Sequence, residues 1–491
     1  MITNLPTSAG GLNISDPLDN MEPAYCIQMD NVIAEENGDK VRSGFIKVHE
    51  AGCNTLIPHA VYGEKAFIAC MGEGITIYDV DFKVVGAEKT GFANDDWVHA
   101  PFTDGAGAVH TFLANGVNIP QEYTHTDGLQ DSSFAIPDGV MLDSPLSYKN
   151  RLYFVGGAWD IYYGGVQSIS GALTKFSMGS FFKKGGKILS ITNWTQDAGS
   201  GVDDLFVIIS TEGEVMIYRG SNPDADDWKS LGVFTIPRPI TKRCCEMVGA
   251  DVAVITESGY YPLSRVLSDQ RANRTAISSK LNGITNGRDY TKRWDIKYFT
   301  KNGWLIVNAP STIGRYAYEQ HVLNTKTNAW CRFVGMDGVG WCILFDRIFF
   351  CNGNGIFEAN RGTTDDGGYI TYQIQKAYNT FGTPLKKQLM RVIPRFYSLK
   401  NEYFYKRINI DFKEGNRSVL PELTGFGYSS YWDEAIWDES YWSDEYTAFN
   451  LRGAVSSRAG SYLSIGFYGR TKNELTFFST GLILKECNGH I

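Results

Sequence analysis

Two apolar runs and a short polar turn form the stretch Leu205-Phe206-Val207-Ile208-Ile209-Ser210-Thr211-Glu212-Gly213-Glu214-Val215-Met216-Ile217-Tyr218. β-Branched and aromatic residues dominate both runs, and such residues are enriched in strands. The glycine between the runs is typical of a tight turn, because glycine adopts backbone conformations that other residues avoid. The stretch therefore predicts a hairpin of two buried strands.

The same pattern, an apolar run followed by a short polar turn, recurs along the chain at intervals of 41 to 53 residues. Its apolar runs are marked by Phe67, Phe112, Tyr153, Phe206, Val252, Leu305 and Phe349. The four-stranded blades of a β-propeller recur at about 40–50 residues, and a continuous apolar run suits an inner strand buried on both faces. We therefore predict a mainly β fold with a β-propeller of about seven four-stranded units. A string of unrelated hairpins in two β-sandwiches is the alternative.

The ends of the chain do not follow this repeat. Residues 1–50 are turn-rich and predict an N-terminal arm, whereas 51–375 carry the repeat and predict the propeller. A helical insert is expected near 269–282, with Gly283 as its stop. Residues 376–491 alternate in polarity as strands do and predict a C-terminal β-sandwich-like domain.

An acidic, aromatic insert occupies residues 431–446 of the predicted last domain. Tryptophan recurs there every five residues, a period that fits neither a helix nor a strand, so we expect a structured loop. The insert holds six of the eight excess negative charges of the chain. It is either an aromatic-stapled loop with a solvated acidic side or a contact element at a tip or subunit boundary. The candidate contact residues are Tyr431, Trp432, Asp433, Trp437, Asp438, Tyr441 and Trp442.

Composition narrows the classes of function. The chain has 491 residues and a formal net charge of −8, which argues against a basic face that grips nucleic acid. Residues 1–6 show no basic and apolar leader, and no window of 18 apolar residues predicts a membrane span. Nine irregularly spaced cysteines predict reduced, mostly buried thiols.

Catalytic and metal-binding patterns are weak. Four adjacent acid pairs, Asp95-Asp96, Asp203-Asp204, Asp226-Asp227 and Asp365-Asp366, are interpreted as turn residues, since neighbours on a strand point to opposite faces. The histidines are scattered, and no cysteine pair has zinc spacing. We therefore predict a protein that is not an enzyme, with no catalytic residues, no cofactor and no metal.

Two sets of motifs carry a resemblance to a known family. The opening set is Gly10-Gly11-Leu12-Asn13, Asp16-Pro17-Leu18, Met29-Asp30-Asn31 and Arg42-Ser43-Gly44. The middle set comprises residues 148–152, 168–173, 185–186, 193–197 and 210–218. Over residues 10–50 and 95–270 the chain resembles the tail nozzle proteins of short-tailed bacteriophages (the tail tube B-like, packaged-DNA-stabilisation family). Ser43 departs from that family, which has proline there.

The resemblance implies a virion structural protein that contains a propeller. It implies a ring, a homohexamer, below the portal and adaptor rings of the tail, which conducts DNA during ejection and helps retain it beforehand. The implied partners are other copies of the chain, adaptor or tail-tube proteins, and tail fibres as an optional addition. Double-stranded DNA would pass without specific binding. The implied location is the virion tail, and the host cytoplasm during assembly.

An acidic chain suits a conduit, because each phosphate that a cation neutralises would strengthen binding and slow the DNA. The alternative function is a carbohydrate-binding or glycan-cleaving β-propeller that acts at the host surface. It predicts a pocket at one propeller mouth with convergent carboxylates and exposed tryptophan.

Overall fold

The computed structural model describes residues 2–61, 63–197, 202–268, 276–398, 404–415, 417–419 and 459–487. Over these ranges the chain is almost entirely β, with one short α-helix. About half of the strands in these ranges belong to antiparallel sheets of four strands, most of which follow one another along the chain. The prediction of a mainly β chain with repeated four-stranded units is confirmed.

Six strands precede the repeated sheets. They are β1 (Ile2–Leu5), β2 (Gly11–Leu12), β3 (Tyr25–Asp30), β4 (Val32–Glu35), β5 (Gly38–Val41) and β6 (Phe45–His49). Residues 1–50, expected to form a turn-rich arm, thus contribute strands that pair with distant parts of the chain.

The repeated sheets, here called the sheet series, are numbered I to VII in chain order. Sheet I contains β7 (Thr55–Val61), β8 (Glu64–Met71), β9 (Gly74–Tyr78) and β10 (Lys89–Thr90). Sheet II contains β11 (Val98–Thr103), β12 (Val109–Ala114), β13 (Gln121–Thr124) and β14 (Gly128–Asp131). The short β15 (Ser133–Ala135) then precedes sheet III and pairs in parallel with β19 (Ser170–Ala172). Sheet III contains β16 (Leu142–Tyr148), β17 (Arg151–Gly156), β18 (Asp160–Tyr163) and β20 (Thr174–Ser177).

Sheets IV to VII continue the series. Sheet IV contains β21 (Ile188–Asp197), β22 (Val202–Ser210), β23 (Glu214–Arg219) and β24 (Lys229–Thr235), and sheet V contains β25 (Cys245–Val248), β26 (Asp251–Thr256) and β27 (Gly259–Pro262). Sheet VI contains β28 (Asp295–Phe299), β29 (Trp304–Pro310), β30 (Tyr318–Asn324) and β31 (Ala329–Phe333). Sheet VII contains β32 (Gly340–Leu344), β33 (Arg347–Asn352) and β34 (Gly355–Ala359), with β6 as its fourth strand.

The seven marker residues of the repeat all lie on the second strand of their sheet. Each is at most 1% exposed, from Phe67 in β8 to Phe349 in β33. These strands are flanked by a strand on each side in the sheet and by side chains of neighbouring sheets above and below. Because both faces are covered, the apolar run is continuous rather than alternating.

Neighbouring sheets of the series pack face to face. Four apolar clusters lie between sheets of the series, and a fifth extends from sheets IV to VII into the terminal strands. One of the four joins sheet I to sheet VII, where the rings of Phe67 and Phe349 are 4.9 Å apart. Between sheets III and IV the rings of Tyr153 and Phe206 are 4.8 Å apart. The first strands of sheets VI and VII contact each other, as do those of sheets VII and I. The last sheet therefore returns to the first.

The remaining strands follow sheet VII. They are β35 (Ile370–Lys376), β36 (Lys387–Ser398), β37 (Phe404–Ile410), β38 (Arg417–Val419), β39 (Ala459–Gly460), β40 (Leu463–Thr471) and β41 (Leu475–Glu486). Sheet VI extends through β2 and β3 into β35, β40, β37 and β38, which makes a ten-stranded sheet. A second sheet has the order β39-β36-β41-β5-β4, with β1 beside β41.

Aromatic side chains fill the space between these two sheets. Phe477 of β41 lies 5.6 Å from the ring of Phe404 and 5.5 Å from that of Phe467. Phe396 of β36 meets Phe404 edge-on at 5.1 Å. Aromatic pairs of this kind contribute about 0.5–1.5 kcal/mol each beyond the area that they bury.

In the described part of residues 269–282 the structure has a 3-10 turn where the sequence predicted a helical insert. The α-helix α1 occupies Leu263–Ser268, just before the expected range, and Ser279–Leu281 form a single 3-10 turn. Residues 269–275 lie outside the described residues. Gly283 does adopt the left-handed conformation, with φ of +78°, so the expected stop follows a 3-10 turn.

Candidate functional site

A central cavity lies where the first strands of sheets I to VII meet. Its inner half, about 520 Å³, is lined by residues of all seven of these strands. They include Leu56, His99, Leu146, Ile191, Glu246, Lys297 and Ile343. Its outer half, about 710 Å³, is lined mainly by the segments that lead into those strands. The inner strand of each sheet therefore supplies the wall, and the preceding loop supplies the mouth.

Three cationic residues line both halves of the central cavity. Lys242 and Arg243 lie just before β25, and Arg293 lies just before β28. We call these three residues the basic constriction. They arrive from two sheets, on segments that turn inward as each sheet begins.

Two members of the basic constriction are paired with carboxylates. The Nζ atom of Lys242 lies 3.0 Å from Asp143 and 3.2 Å from Asp96. Arg243 pairs with Asp96 and donates to the Trp97 carbonyl at 2.7 Å. Burial opposes ionisation of Asp96, but the charges of Arg243, Lys242 and Arg293 outweigh it and hold the pKa of Asp96 well below its ordinary value. Asp96 is therefore ionised at neutral pH and unsuited to donate a proton there.

Arg293 has a different environment. Its Nη1 atom donates to the Asn54 carbonyl at 2.7 Å and to the Thr55 hydroxyl, both neutral acceptors. Its Nε atom is buried and has no hydrogen-bond partner in the part of the chain that the structure describes. Burial and then the nearby charge of Arg243 lower the pKa of Arg293. A guanidinium stays protonated at physiological pH all the same, so the positive charge remains.

The inner half carries further titratable groups. Lys297 lies 2.9 Å from Asp295, on the same strand. Burial raises the pKa of Glu246, although the charge of Lys297 opposes the shift. Burial and then the charges of Lys297 and Arg243 lower the pKa of His99 to about 4. At neutral pH His99 is therefore uncharged and adds no positive charge to the cavity.

The acid pairs singled out in the sequence have different positions. Asp226-Asp227 and Asp365-Asp366 lie in turns, as predicted, and Asp95-Asp96 leads into β11 at the mouth of the central cavity. The prediction is wrong for Asp203-Asp204, which lies within β22. A polar partner across the strands explains this, because the Thr195 hydroxyl donates to Asp204 at 2.8 Å.

Sequence analysis missed the basic constriction. Lys242 and Arg243 share no motif spacing with Arg293, since sheet V and about 50 residues separate them from it. One signal could have indicated them: cationic residues directly before the first strand of a repeated unit. In a ring of sheets, such positions face the shared axis.

The opening motifs form a second buried polar site, which we call the N-terminal junction. Arg42 makes a two-pronged ion pair with Asp365, at 2.8 Å for each prong, and its Nε donates to Asn31 Oδ1 at 2.8 Å. The Asn31 amide donates in turn to the carbonyls of Val334 and Thr371. The junction thus joins the N-terminal segment to the end of sheet VI and to β35.

Glycine is required at one position of this junction. A Cβ added to Gly44 would lie 1.8 Å from the carbonyl oxygen of Thr364, far closer than packing permits. The obstructing atom belongs to the main chain, so it cannot rotate away as a side-chain atom could. The Arg42-Ser43-Gly44 motif therefore serves close approach of two chain segments, directly before β6 completes sheet VII.

A buried network in sheet VI adjoins the N-terminal junction. Arg288 donates to Glu319 at 2.7 Å, and His321 lies 3.2 Å from the same carboxylate oxygen. Since that carboxylate only accepts, His321 Nε2 carries the proton and Nδ1 accepts from the Tyr260 hydroxyl. Arg332 extends the network, because it pairs with both Glu319 and Asp30.

The sequence-predicted contact element, residues 431–446, lies outside the described residues. Within the described ranges, no helix is long and apolar enough to cross a membrane. Those ranges also contain no cluster of three or more His, Cys, Asp or Glu side chains that could hold a metal ion. The nine cysteines are free thiols, and seven of them are buried.

Comparisons with known proteins give no family. No family model and no curated protein matches the chain. Solved structures with a similar course include BBS1N in complex with ARL6DN, soaked with mercury, at 10% identity and a TM-score of 0.42, covering 65% of this chain and 96% of that one. The same complex soaked with lead has 10% identity and a TM-score of 0.41, and the match covers 66% of this chain and 99% of that one. The computationally designed Ika8 protein has 9% identity and a TM-score of 0.39, and the match covers 65% of this chain and 98% of that one.

Proposed function

We propose that this chain is a virion structural protein that forms the nozzle ring of a short bacteriophage tail. It conducts DNA during ejection and helps retain the genome beforehand. Its partners are further copies of itself in a homohexamer, adaptor or tail-tube proteins, and optionally tail fibres. It acts in the virion tail after assembly in the host cytoplasm, and we assign it no catalytic activity.

The architecture that belongs to this proposal is a seven-bladed propeller with a C-terminal β-sandwich-like domain. Two features support the propeller: the wall of the central cavity comes from the first strand of every sheet of the series, and sheet VII packs against sheet I. Strand β6, from the N-terminal segment, completes sheet VII. The facing aromatic side chains of β36, β41 and the ten-stranded sheet support the sandwich-like domain.

One observation carries the functional proposal: the motif residues of the resemblance build the N-terminal junction. Asn31, Arg42 and Gly44 link the sheet series to the strands that follow it. Two domains joined by a plain linker move relative to each other by default, whereas a shared sheet and buried ion pairs couple them. A ring that holds packaged DNA needs subunits of that stiffness, and the motifs that resemble nozzle proteins supply it here.

The first experiment measures the mass of the purified protein and images the particle tail by negative stain. We expect a ring, with an axial hole of at least about 20 Å when open, which is the width of a DNA duplex. A strictly monomeric protein that is absent from virions would contradict the proposal.

The second experiment tests the contact element with two matched sets of substitutions. One set changes Trp432, Trp437 and Trp442 to alanine, and the other changes Asp433 and Asp438 to asparagine. We expect the tryptophan set to lose the ring, because large aromatic side chains anchor interfaces, and the aspartate set to keep it. Deletion of 431–446 with unchanged assembly and activity would instead indicate a solvated loop.

A carbohydrate-binding or glycan-cleaving propeller at the host surface is the second proposal. The mouth of the central cavity favours it, because Asp95, Asp96 and Asp143 converge there. However, Lys242 pairs with both Asp96 and Asp143, which leaves neither free to act on a sugar. Failure of the purified protein to bind or cleave host-surface glycans would remove this proposal.

A further inference from the structure

The central cavity has a surplus of positive charge in a chain of net charge −8. Its outer half is lined by five cationic residues, which are Lys187, Lys242, Arg243, Lys292 and Arg293. The carboxylates of the same half are three, namely Asp95, Asp96 and Asp143. The surplus lies at the axis where all the first strands converge, and so in a concave site rather than on an open surface.

The carboxylates of this half are already engaged. Asp96 and Asp143 serve Lys242 and Arg243, and Asp95 accepts from the Asn54 amide at 2.9 Å and from the Gly72 N–H at 2.8 Å. None of these contacts reaches the guanidinium of Arg293, whose hydrogen bonds within the described residues go to neutral oxygens. The basic constriction therefore brings three cations beside two carboxylates, of which Asp96 pairs with both Lys242 and Arg243.

Arg293 is the group with unused capacity. Its Nη2 atom makes no hydrogen bond within the described residues, and the side chain lines both halves of the central cavity, so an anion there can accept from Nη2. The buried Nε atom is also without a partner among those residues, and a buried donor without an acceptor is costly. The neighbouring Arg243 adds repulsion between like charges, which an anion between them would relieve. The planar guanidinium presents its N–H groups in a fork that matches the oxygens of phosphate, and charge-assisted bonds of this kind are strong.

We propose that the basic constriction binds a phosphate group in the central cavity, with Arg293 as its principal ligand and Arg243 and Lys242 as supporting cations. The ligand is free phosphate or the terminal group of a small phosphate ester, since the outer half of the cavity, about 710 Å³, has room for either. The inference concerns the cavity of a single chain and does not rest on the proposed function.

Calorimetric titration of the full chain tests this proposal. Inorganic phosphate is titrated at constant ionic strength, with chloride as the matched anion and ethyl phosphate as the ester. We expect saturable binding of phosphate and a higher melting temperature in phosphate than in chloride. Tighter binding of ethyl phosphate identifies an ester as the preferred source, and equal or weaker binding identifies the free ion. An identical response to phosphate and chloride overturns the proposal.

Two variants and a control locate the site. Arg293→Gln removes the charge and is expected to weaken phosphate binding at least about tenfold. Arg293→Lys keeps the charge but loses the forked arrangement of donors, so its phosphate affinity is expected to lie between those of the wild type and Arg293→Gln. Arg315→Gln, at an exposed arginine outside the cavity, should bind as the wild type does. Wild-type affinity in a folded Arg293→Gln variant, checked by circular dichroism, would overturn the assignment. Should that variant not fold, the proposal is tested by the phosphate affinity of Arg293→Lys and by the wild-type comparison of phosphate with chloride.

Discussion

The N-terminal junction and the basic constriction are each built around an arginine, Arg42 buried and Arg293 half-buried, and the two arginines are paired differently. Arg42 has a carboxylate on both prongs and an amide oxygen on its Nε atom. Arg293 has two neutral acceptors and a buried Nε atom with no partner among the described residues. An arginine whose donors are all satisfied is part of the scaffold, whereas Arg293, which lines the cavity with an Nη2 atom that makes no hydrogen bond within the described residues, is equipped for a ligand. The same side chain thus serves structure in one region and binding in the other.

The largest expected effect is at the N-terminal junction. Arg42→Ala leaves Asp365 and Asn31 without their partner, and removal of one member of a buried ion pair costs about 3–5 kcal/mol. We expect the free energy of unfolding, measured in urea, to fall by about that amount. Arg315→Ala, at an exposed site, should change it by less than about 0.5 kcal/mol. A loss below about 1 kcal/mol for Arg42→Ala would show that the junction is not a scaffold.

The second effect is a pH dependence from the sheet VI network, whose charges are also fully paired. Burial lowers the pKa of His321 to about 4, despite the hydrogen bond to Glu319, against about 6.5 in the unfolded chain. The unfolded state therefore takes up a proton at higher pH than the folded state. Stability is full above about pH 6.5 and falls as the pH drops toward 4, by about 2–3 kcal/mol.

Unfolding free energies measured between pH 7 and 4.5 check this dependence. His321→Asn should be less stable at pH 7 but should lose less stability as the pH falls, because the titrating group is gone. His125→Asn, at an exposed histidine, should keep the wild-type slope. The window stops at 4.5 because Glu319, whose pKa its partners hold well below the ordinary value despite burial, adds its own loss at lower pH. Parallel slopes for wild type and His321→Asn would contradict the assignment.

The smallest expected effect distinguishes the two arginines most sharply. Arg293→Gln in phosphate-free buffer should change the free energy of unfolding by no more than about 1 kcal/mol. The variant removes a charge that forms no ion pair within the described residues and relieves the repulsion from Arg243, while the glutamine amide can still donate to the Asn54 carbonyl. Urea unfolding beside Arg42→Ala measures the difference. A loss of 3 kcal/mol or more would place Arg293 in the scaffold as well.

The fold could be predicted further than the site. Phe67 through Phe349 mark the second strands because a strand covered on both faces must be apolar along its whole length. Arg42 and Asp365 are 323 positions apart, and no local pattern pairs them. Arg293 resembles any arginine in a loop until the cavity around it is known. Half of the helix expected near 269–282 lies outside the described residues, and the described part holds only the 3-10 turn Ser279–Leu281.

The sequence by itself determined the strand content, the repeat of about 47 residues, the hairpin turns and the acidic insert, because each depends on neighbours within one repeat. The tertiary structure decided which strand completes sheet VII, where the N-terminal motifs bind, and which cations meet at the axis. These features depend on contacts between residues far apart in the chain, and such contacts form only when the sheets pack around a shared axis. Lys242, Arg243 and Arg293 thus become one site because sheet V packs beside sheet VI.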